Sequence, residues 1–328
     1  MAKRKHGWIA GLLGLALLVG GCSQAADNSA GGQGGQAPAD KPAAQTAETR
    51  TVKDAAGEVT IPANPQRIAD VSGSTEELLA LGIRPVLTAN SQYESPMDLT
   101  PILQKELGKD VTVAGWFQNE VSVEAIAATN PDLILVGPAQ EKIYEQLNKI
   151  APTVRVPYGF NAFRERFDFV ANTLGKKQQM DEWLKAYDDH AKQLHDQIVA
   201  TTKEESFAVI EATQKGIRLY AKTGLADMIF SDLKLPKAAG IPEPDPWGGK
   251  ETDLEGLSTL NPDHIVLLAD SEHNVLEDTA IWNNMKAKKN GKVYRVTTKQ
   301  SYNEAFFALG KKAMIEQVAA DILQKNQK

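Results

Sequence analysis

Val121–Val136 reads VSVEAIAATNPDLILV, and Thr252–Leu268 reads TDLEGLSTLNPDHIVLL. Glu124 falls opposite Glu255, Asn130-Pro131-Asp132 opposite Asn261-Pro262-Asp263, and Ile134 opposite Ile265. Each match has a local reason. Proline cannot continue a helix and biases its predecessor toward extended backbone, so Asn-Pro-Asp ends a helix and starts a strand. The unbroken apolar run that follows is the pattern of a parallel strand buried on both faces. One such unit would fit any α/β protein. A second pair, TEELLALGIRP (Thr75–Pro85) and LADMIFSDLKLP (Leu225–Pro236), occurs in the same order. Together the two pairs predict a duplicated α/β lobe, and two lobes imply a cleft.

Outward from the repeat, strands and helices alternate. EVTIP (Glu58–Pro62), RIADVS (Arg67–Ser72), PVLTA (Pro85–Ala89), VTVAG (Val111–Gly115), LILVG (Leu133–Gly137) and TVRVP (Thr153–Pro157) read as strands. Ser74–Leu81 is expected to be a helix capped by Ser74, with Glu77 completing a capping box. Such alternation predicts a largely parallel sheet covered by helices. The span 163–201 is different: helical in pattern, interrupted only near Leu174-Gly175, and rich in Lys, Asp, Gln and Glu. Two dozen helical residues reach about 36 Å, enough to connect two lobes stiffly. Alternation then resumes with SFAVIEA (Ser206–Ala212), GIRLYA (Gly216–Ala221), a helix over Leu225–Leu233, HIVLLA (His264–Ala269) and KVYRVT (Lys292–Thr297). A last helix is expected from about Asn303. The domain reading is therefore an N-terminal lobe over 51–162, a connecting helix over 163–201 and a C-terminal lobe over 202–328.

The N-terminus is read separately. Lys3, Arg4 and Lys5 precede an apolar run from Trp8 to Val19, too short to span a bilayer comfortably but suited to a secretory signal. VGGC follows, and Cys22 is the chain's single cysteine. The pattern resembles a bacterial lipobox: residues 1–21 form a lipoprotein signal peptide, and Cys22 becomes the lipidated, palmitate-bearing first mature residue. Two or more acyl chains suffice for stable anchoring, so the expected location is the outer face of a bacterial cytoplasmic membrane, attached through the lipid only. Residues 22–50, rich in Gly, Ala, Gln and Asp, read as a flexible linker. A lone thiol excludes an internal disulfide and a paired-cysteine redox site. A formal charge of −6 argues against nucleic acid as a partner.

Ligands of open α/β sheets sit beyond the carboxyl ends of the strands, and interlobe grooves are preferred pockets. The residues that follow the strands are Trp116 and Phe117, Tyr158, then Tyr220 and Lys222; Trp247 lies in the loop GIPEPDPWGGK and Tyr302 beside the last helix. Arg218, Tyr220 and Lys222 share one strand face by alternation. These eight residues are the candidate ligand contacts. Trp183 and Trp282 fall inside helical stretches and read as packing.

The whole chain after the linker resembles the binding-protein subunits of bacterial ABC importers for iron–siderophore complexes, a group that also includes vitamin B12 and heme binders. The motifs that carry the resemblance are GEVTIPANPQRIAD, TEELLALGIRPV, VAGWFQNEVSVEAIAATNPDLILV, LGKKQQMDEWLKAY and LEGLSTLNPDHIVLL. It implies two Rossmann-like lobes joined by a long rigid helix, a ligand groove between them, and a monomer that delivers its ligand to a permease dimer. It also implies an acidic docking residue on each lobe, which falls on Glu76 and, where glutamate is usual, on Asp227. A ferric chelate brings its iron already saturated, so the protein needs aromatic walls and polar donors and no intrinsic cofactor. Family members often place an arginine after the strand that ends here in Gly115; Trp116-Phe117-Gln118 stands instead, which tilts the ligand toward a neutral or hydroxamate-like chelate, with Arg164, Arg166 and Lys222 as remaining sources of positive charge.

Other functions are weaker. A zinc or manganese binder needs several converging His and carboxylates. Of five histidines, His6 lies in the signal and His190 and His195 on the connector, leaving His264 and His273. A heme or cobalamin binder of the same fold stays open through Tyr158, Tyr220 and Tyr302. A secreted lipoprotein hydrolase lacks G-x-S-x-G and H-E-x-x-H signatures, so no catalytic residues are expected.

Overall fold

The computed structural model describes residues 48–326. The signal peptide, Cys22 and nearly all of the linker lie outside the described residues. The linker's end does not: Thr49–Lys53 (β1) pairs antiparallel with Glu58–Pro62 (β2), so ordered structure begins before Thr51. Asp54 fixes the turn, accepting the amides of Ala56 and Gly57.

The first lobe continues with Ile68–Val71 (β3), Thr75–Ala80 (α1), Leu87–Thr88 (β4), the hairpin Ser91–Gln92 (β5) and Ser95–Leu99 (β6), and Pro101–Leu107 (α2). Thr112–Val113 (β7), Val123–Ala128 (α3), Leu133–Val136 (β8), Tyr144–Leu147 (α4) and Thr153–Arg155 (β9) complete it. Five strands in the order β7-β4-β3-β8-β9 form an all-parallel sheet. IADV and LILV are buried at every position, as strands covered on both faces must be. The expected capping box at α1 does not form. Ser74 accepts no helix amide; its N–H donates to Asp70 and its hydroxyl meets Ser72 at 2.8 Å, while Glu77 turns to Arg166.

The connector is two helices, Phe163–Thr173 (α5) and Lys177–Thr202 (α6), parted where Gly175 takes a positive φ of 66°. α5 buries Phe163, Phe167 and Val170 in the first lobe. α6, 26 residues long, extends about 39 Å. Lys–Asp pairs four apart at 177/181, 185/189 and 192/196 line its outer face and support it locally.

The second lobe holds Phe207–Ala212 (β10), Ile217–Tyr220 (β11), Gly224–Asp227 (α7, continued by a wide turn to Asp232), Gly249–Thr252 (β12), Leu254–Leu260 (α8), His264–Leu268 (β13), Ala280–Asn284 (α9), Lys286–Lys289 (α10) and Val293–Val296 (β14). Thr298–Glu304 (α11) and Ala308–Asn326 (α12) close it, two helices where the sequence suggested one. The sheet order is β12-β11-β10-β13-β14, but only β10, β13 and β14 run parallel. The expectation of a largely parallel sheet fails here because Thr213 and Gly216 close a tight turn, which can only return the next strand antiparallel. The second sequence pair is displaced for the same reason: TEELLALGIRP follows the central strand β3, whereas LADMIFSDLKLP follows β11, one hairpin later.

The Asn-Pro-Asp repeat does the same work twice. Asn130 and Asn261 take left-handed backbone at φ 47° and 35°, a conformation asparagine tolerates well. Asp132 then accepts the amides of Gln66 and Arg67 at 2.7 and 2.9 Å, and Asp263 accepts that of Ser206 at 2.8 Å. Each aspartate thus ties β8 or β13 to the start of its lobe's central strand. One apolar cluster runs from Val71 and Val136 through Phe117 and Phe307 to Val209 and Val266, so the lobes share a core.

Candidate functional site

A cavity of about 310 Å³ opens between the lobes, walled by Phe160, Glu211, Arg218, Tyr220, Trp247, Tyr302 and Phe306. Phe160 lies in the loop after β9, and the rest come from the second lobe. Glu211 and Arg218 face each other across the β10–β11 pair, and the Tyr220 hydroxyl donates diagonally to Glu211 Oε2 at 3.0 Å, a cross-strand contact of ordinary reach. Arg218 is ion-paired to Asp245 and its guanidinium lies 5.6 Å from the Tyr220 ring centre. Asp245 also accepts the Trp247 amide at 2.8 Å, which sets Trp247 at the mouth, 68 % exposed.

The floor is a stack of rings. Phe160 lies 3.8 Å from Phe306 and 5.9 Å from Tyr302, centre to centre. Tyr93, from the β5–β6 hairpin of the first lobe, stacks on Tyr302 at 5.1 Å, meets Trp116 edge-on at 5.1 Å, and donates its amide to Asn303 at 3.0 Å. Gly224 makes room for this packing: at φ 49°, a Cβ there would sit 2.5 Å from the Phe306 ring. Burial raises the Glu211 carboxyl above its usual range, opposed by the Tyr220 hydrogen bond and by Arg218. Burial likewise raises the phenols of Tyr220 and Tyr302, so both remain neutral donors.

Of the candidates from sequence, the structure brings Arg218, Tyr220, Trp247 and Tyr302 together. Trp116 stands one ring behind the cavity, against Tyr93. Phe117 is a correction: 2 % exposed, it packs on Phe307 at 5.8 Å and over Gly73 as part of the core. Tyr158 is another. It packs on Phe169 at 6.2 Å, and Phe160, two residues on, takes the inward place. Lys222 is exposed and outside the cavity lining, because β11 ends at Tyr220 and the chain turns at Thr223, φ 67°; strand alternation does not carry that far. Sequence reasoning missed Tyr93, Phe160, Glu211 and Phe306. A carboxylate closing the apolar run FAVIEA was a readable signal for Glu211.

Of the two docking carboxylates, Glu76 is contradicted by its burial and Asp227 is not. Glu76 is 1 % exposed, and its Oε2 accepts the Gly310 amide of α12 at 2.7 Å. Burial pushes its pKa up to about 8. It presents no charge on an outer rim. Asp227 is partly exposed and bonds Lys311, 2.6 Å away; burial would raise its carboxyl, but the Lys311 ion pair outweighs this and lowers it. Neighbouring Glu77 is buried against Arg166 at 2.7 Å, and Arg166 also donates to the Phe306 carbonyl at 2.7 Å. Arg164 is held by Asp188 and Asp232. None of these arginines serves the cavity.

Among the described residues no group of three or more His, Cys, Asp or Glu is placed to hold a metal ion. His264 is structural, stacked on Phe207 and bonded to Tyr294 and Glu205. Trp282 is fully buried and Trp183 stacks on Tyr187, both as packing.

A family model described as periplasmic binding protein matches residues 71–299. The Fe(3+)-citrate-binding protein YfmC of Bacillus subtilis is 26% identical over 292 residues, covering 86% of this chain and 86% of its own. The probable siderophore-binding lipoprotein YfiY of the same organism is 29% identical over 268 residues, covering 76% of this chain and 81% of its own. The structure of unliganded FhuD2 from Staphylococcus aureus superposes with a TM-score of 0.71 at 22% identity, covering 85% of this chain and all of that one.

Proposed function

The chain belongs to the periplasmic binding protein family, and from that premise we propose that it captures a ferric siderophore in the interlobe groove and delivers it to the permease of an ABC importer. It is a binding protein and carries out no chemistry. The observation that carries the reading is the cavity itself: rings on several sides, the Tyr302 phenol beside a Tyr220 hydroxyl already given to Glu211, and a cation in the lining, Arg218, already matched by Asp245. Such a lining suits a bulky chelate whose iron is saturated by the ligand's own oxygens, since it offers contact area and donors. Relatives named for ferric citrate and for siderophores support the same cargo.

The finer assignments complete the proposal. Trp116, Arg218, Tyr220, Trp247 and Tyr302 are the ligand contacts, joined by Phe160, Glu211 and Phe306. The missing net positive charge favours a neutral chelate, as of hydroxamates, over a citrate or catecholate complex. Cys22 carries the lipid anchor on the outer face of the cytoplasmic membrane; no helix among the described residues is long and apolar enough to cross it. The protein acts as a monomer, and Asp227 is the remaining candidate for permease contact.

The test is tryptophan-fluorescence titration against ferric hydroxamates, ferric citrate, a ferric catecholate, heme and cobalamin. Trp247 at the mouth and Trp116 behind Tyr93 report on occupancy. A ferric chelate should bind below about 10 μM, roughly −7 kcal/mol. If none does, or if heme alone binds, the siderophore reading fails.

A further inference from the structure

We propose that the cavity is built to receive a cationic group, an alkylammonium arm carried on the ferric chelate, with Glu211 as its counter-charge and the surrounding rings as its cage. The inference rests on the siderophore reading and narrows it to chelates with no net negative charge. Three observations carry it. First, the two charged residues in the lining are Glu211 and Arg218, and Arg218 is already paired with Asp245. Among the described residues Glu211 makes no ion pair: Arg218, opposite it across the strands, is paired to Asp245, and the one hydrogen bond to Glu211 comes from the neutral Tyr220 hydroxyl, to Oε2. Second, Phe160, Tyr220, Trp247, Tyr302 and Phe306 surround the same space, and ring faces attract ammonium groups. Arg218 over Tyr220 is one such contact already made by the protein. Third, the nearby cations are committed or turned away: Arg164 to Asp188 and Asp232, Arg166 to Glu77, and Lys222 out to solvent. An anionic chelate entering here would meet Glu211 with nothing free to answer its own charge. A cationic arm would replace lost water with a carboxylate oxygen and aromatic faces, a charge-assisted contact stronger than a neutral one.

Aromatic walls alone would accept any apolar chelate shell. Glu211 adds discrimination, because a half-buried carboxylate whose Oε1 meets no donor among the described residues favours ligands that supply one. Glu211 is in this sense a specificity-determining residue, and Tyr220 positions it.

The experiment uses a matched pair: the ferric complex of a linear trihydroxamate ending in a primary amine, and the same complex with that amine acetylated. Iron coordination is identical, and only the terminal charge differs. The wild-type protein should bind the amine form about tenfold or more tightly, and Glu211→Gln should erase most of that preference by weakening the amine form far more than the acetylated form. Equal affinities in the wild type, or a tighter acetylated form, overturn the inference and leave the siderophore reading standing. So does a Glu211→Gln protein that weakens both forms alike, since that is the mark of a residue that merely holds Tyr220. A ferric tricatecholate that outbinds both also overturns it. If neither hydroxamate nor any other ferric chelate binds, the siderophore reading falls and takes the inference with it. The wild-type comparison decides the matter even where the variant folds poorly.

Discussion

Replacing Arg166 by methionine should cost more stability than any other single change near the groove. The guanidinium is fully buried. Its Nη2 donates to Glu77 Oε1 and to the Phe306 carbonyl, both at 2.7 Å, and Nη1 donates to the Gly159 and Phe160 carbonyls at 3.2 and 3.4 Å. It therefore joins α1, the Phe160 loop and the segment before α12. Methionine keeps the apolar stem but leaves Glu77 buried with no counter-charge. Breaking one partner of a buried pair costs about 3–5 kcal/mol, and the orphaned carbonyls add to it. Part is recovered when Glu77 takes up a proton, which its burial already favours. The expected loss is then about 3–4 kcal/mol at pH 7 and less at pH 5, read from urea unfolding with a common slope. Glu77→Gln in the same chain should restore most of the loss, since the uncompensated charge is gone. A loss below about 1 kcal/mol, or a double variant no better than the single, would refute the reasoning. Ligand affinity should fall as well, because Phe160 and Phe306 lose their common anchor.

Gly224→Ala should weaken ligand binding by about tenfold and lower stability by about 1–3 kcal/mol, since its Cβ would enter the Phe306 ring; unchanged titration and melting curves would contradict this. Glu76→Gln should flatten the dependence of stability on pH. The Glu76 carboxyl is raised from 4.5 to about 8, so the folded state holds a proton that the unfolded state releases. Its contribution is complete below pH 4.5 and disappears as pH rises through 8, a span worth about 1.4 kcal/mol per unit as an upper bound. Unfolding measured at pH 5 and pH 8 should show the wild type losing several kcal/mol more than the variant; parallel losses would exclude Glu76 as the source. Asn130→Ala should cost about 1 kcal/mol and Asn130→Gly much less, because φ is 47° there; equal thermal melts would remove the left-handed turn from the explanation.

The site was partly legible before the fold was known. Arg218 and Tyr220 lie on β11, Trp247 in the loop before β12 and Tyr302 in α11, placements set by local properties of the chain. Phe117 and Tyr158 pack away from the cavity, on Phe307 and Phe169, because a residue beyond a strand end is aimed by loop dihedrals, which strand alternation does not govern. Phe160, Tyr93 and Phe306 gain their meaning from each other, across the two lobes.

By itself, the sequence determined the lobes and their scaffold: buried strands written as unbroken apolar runs, a polar connector, and an Asn-Pro-Asp turn whose Asn adopts left-handed backbone and whose Asp catches the neighbouring strand in both halves. These are short-range constraints, and short-range patterns express them. The tertiary structure alone decided that Glu76 is a buried acceptor for an amide 234 residues away, that Lys222 leaves the groove, and that Glu211 enters it. Such outcomes depend on which surfaces meet after folding, and burial, which sets the charge and reach of a carboxylate, is a property of that meeting.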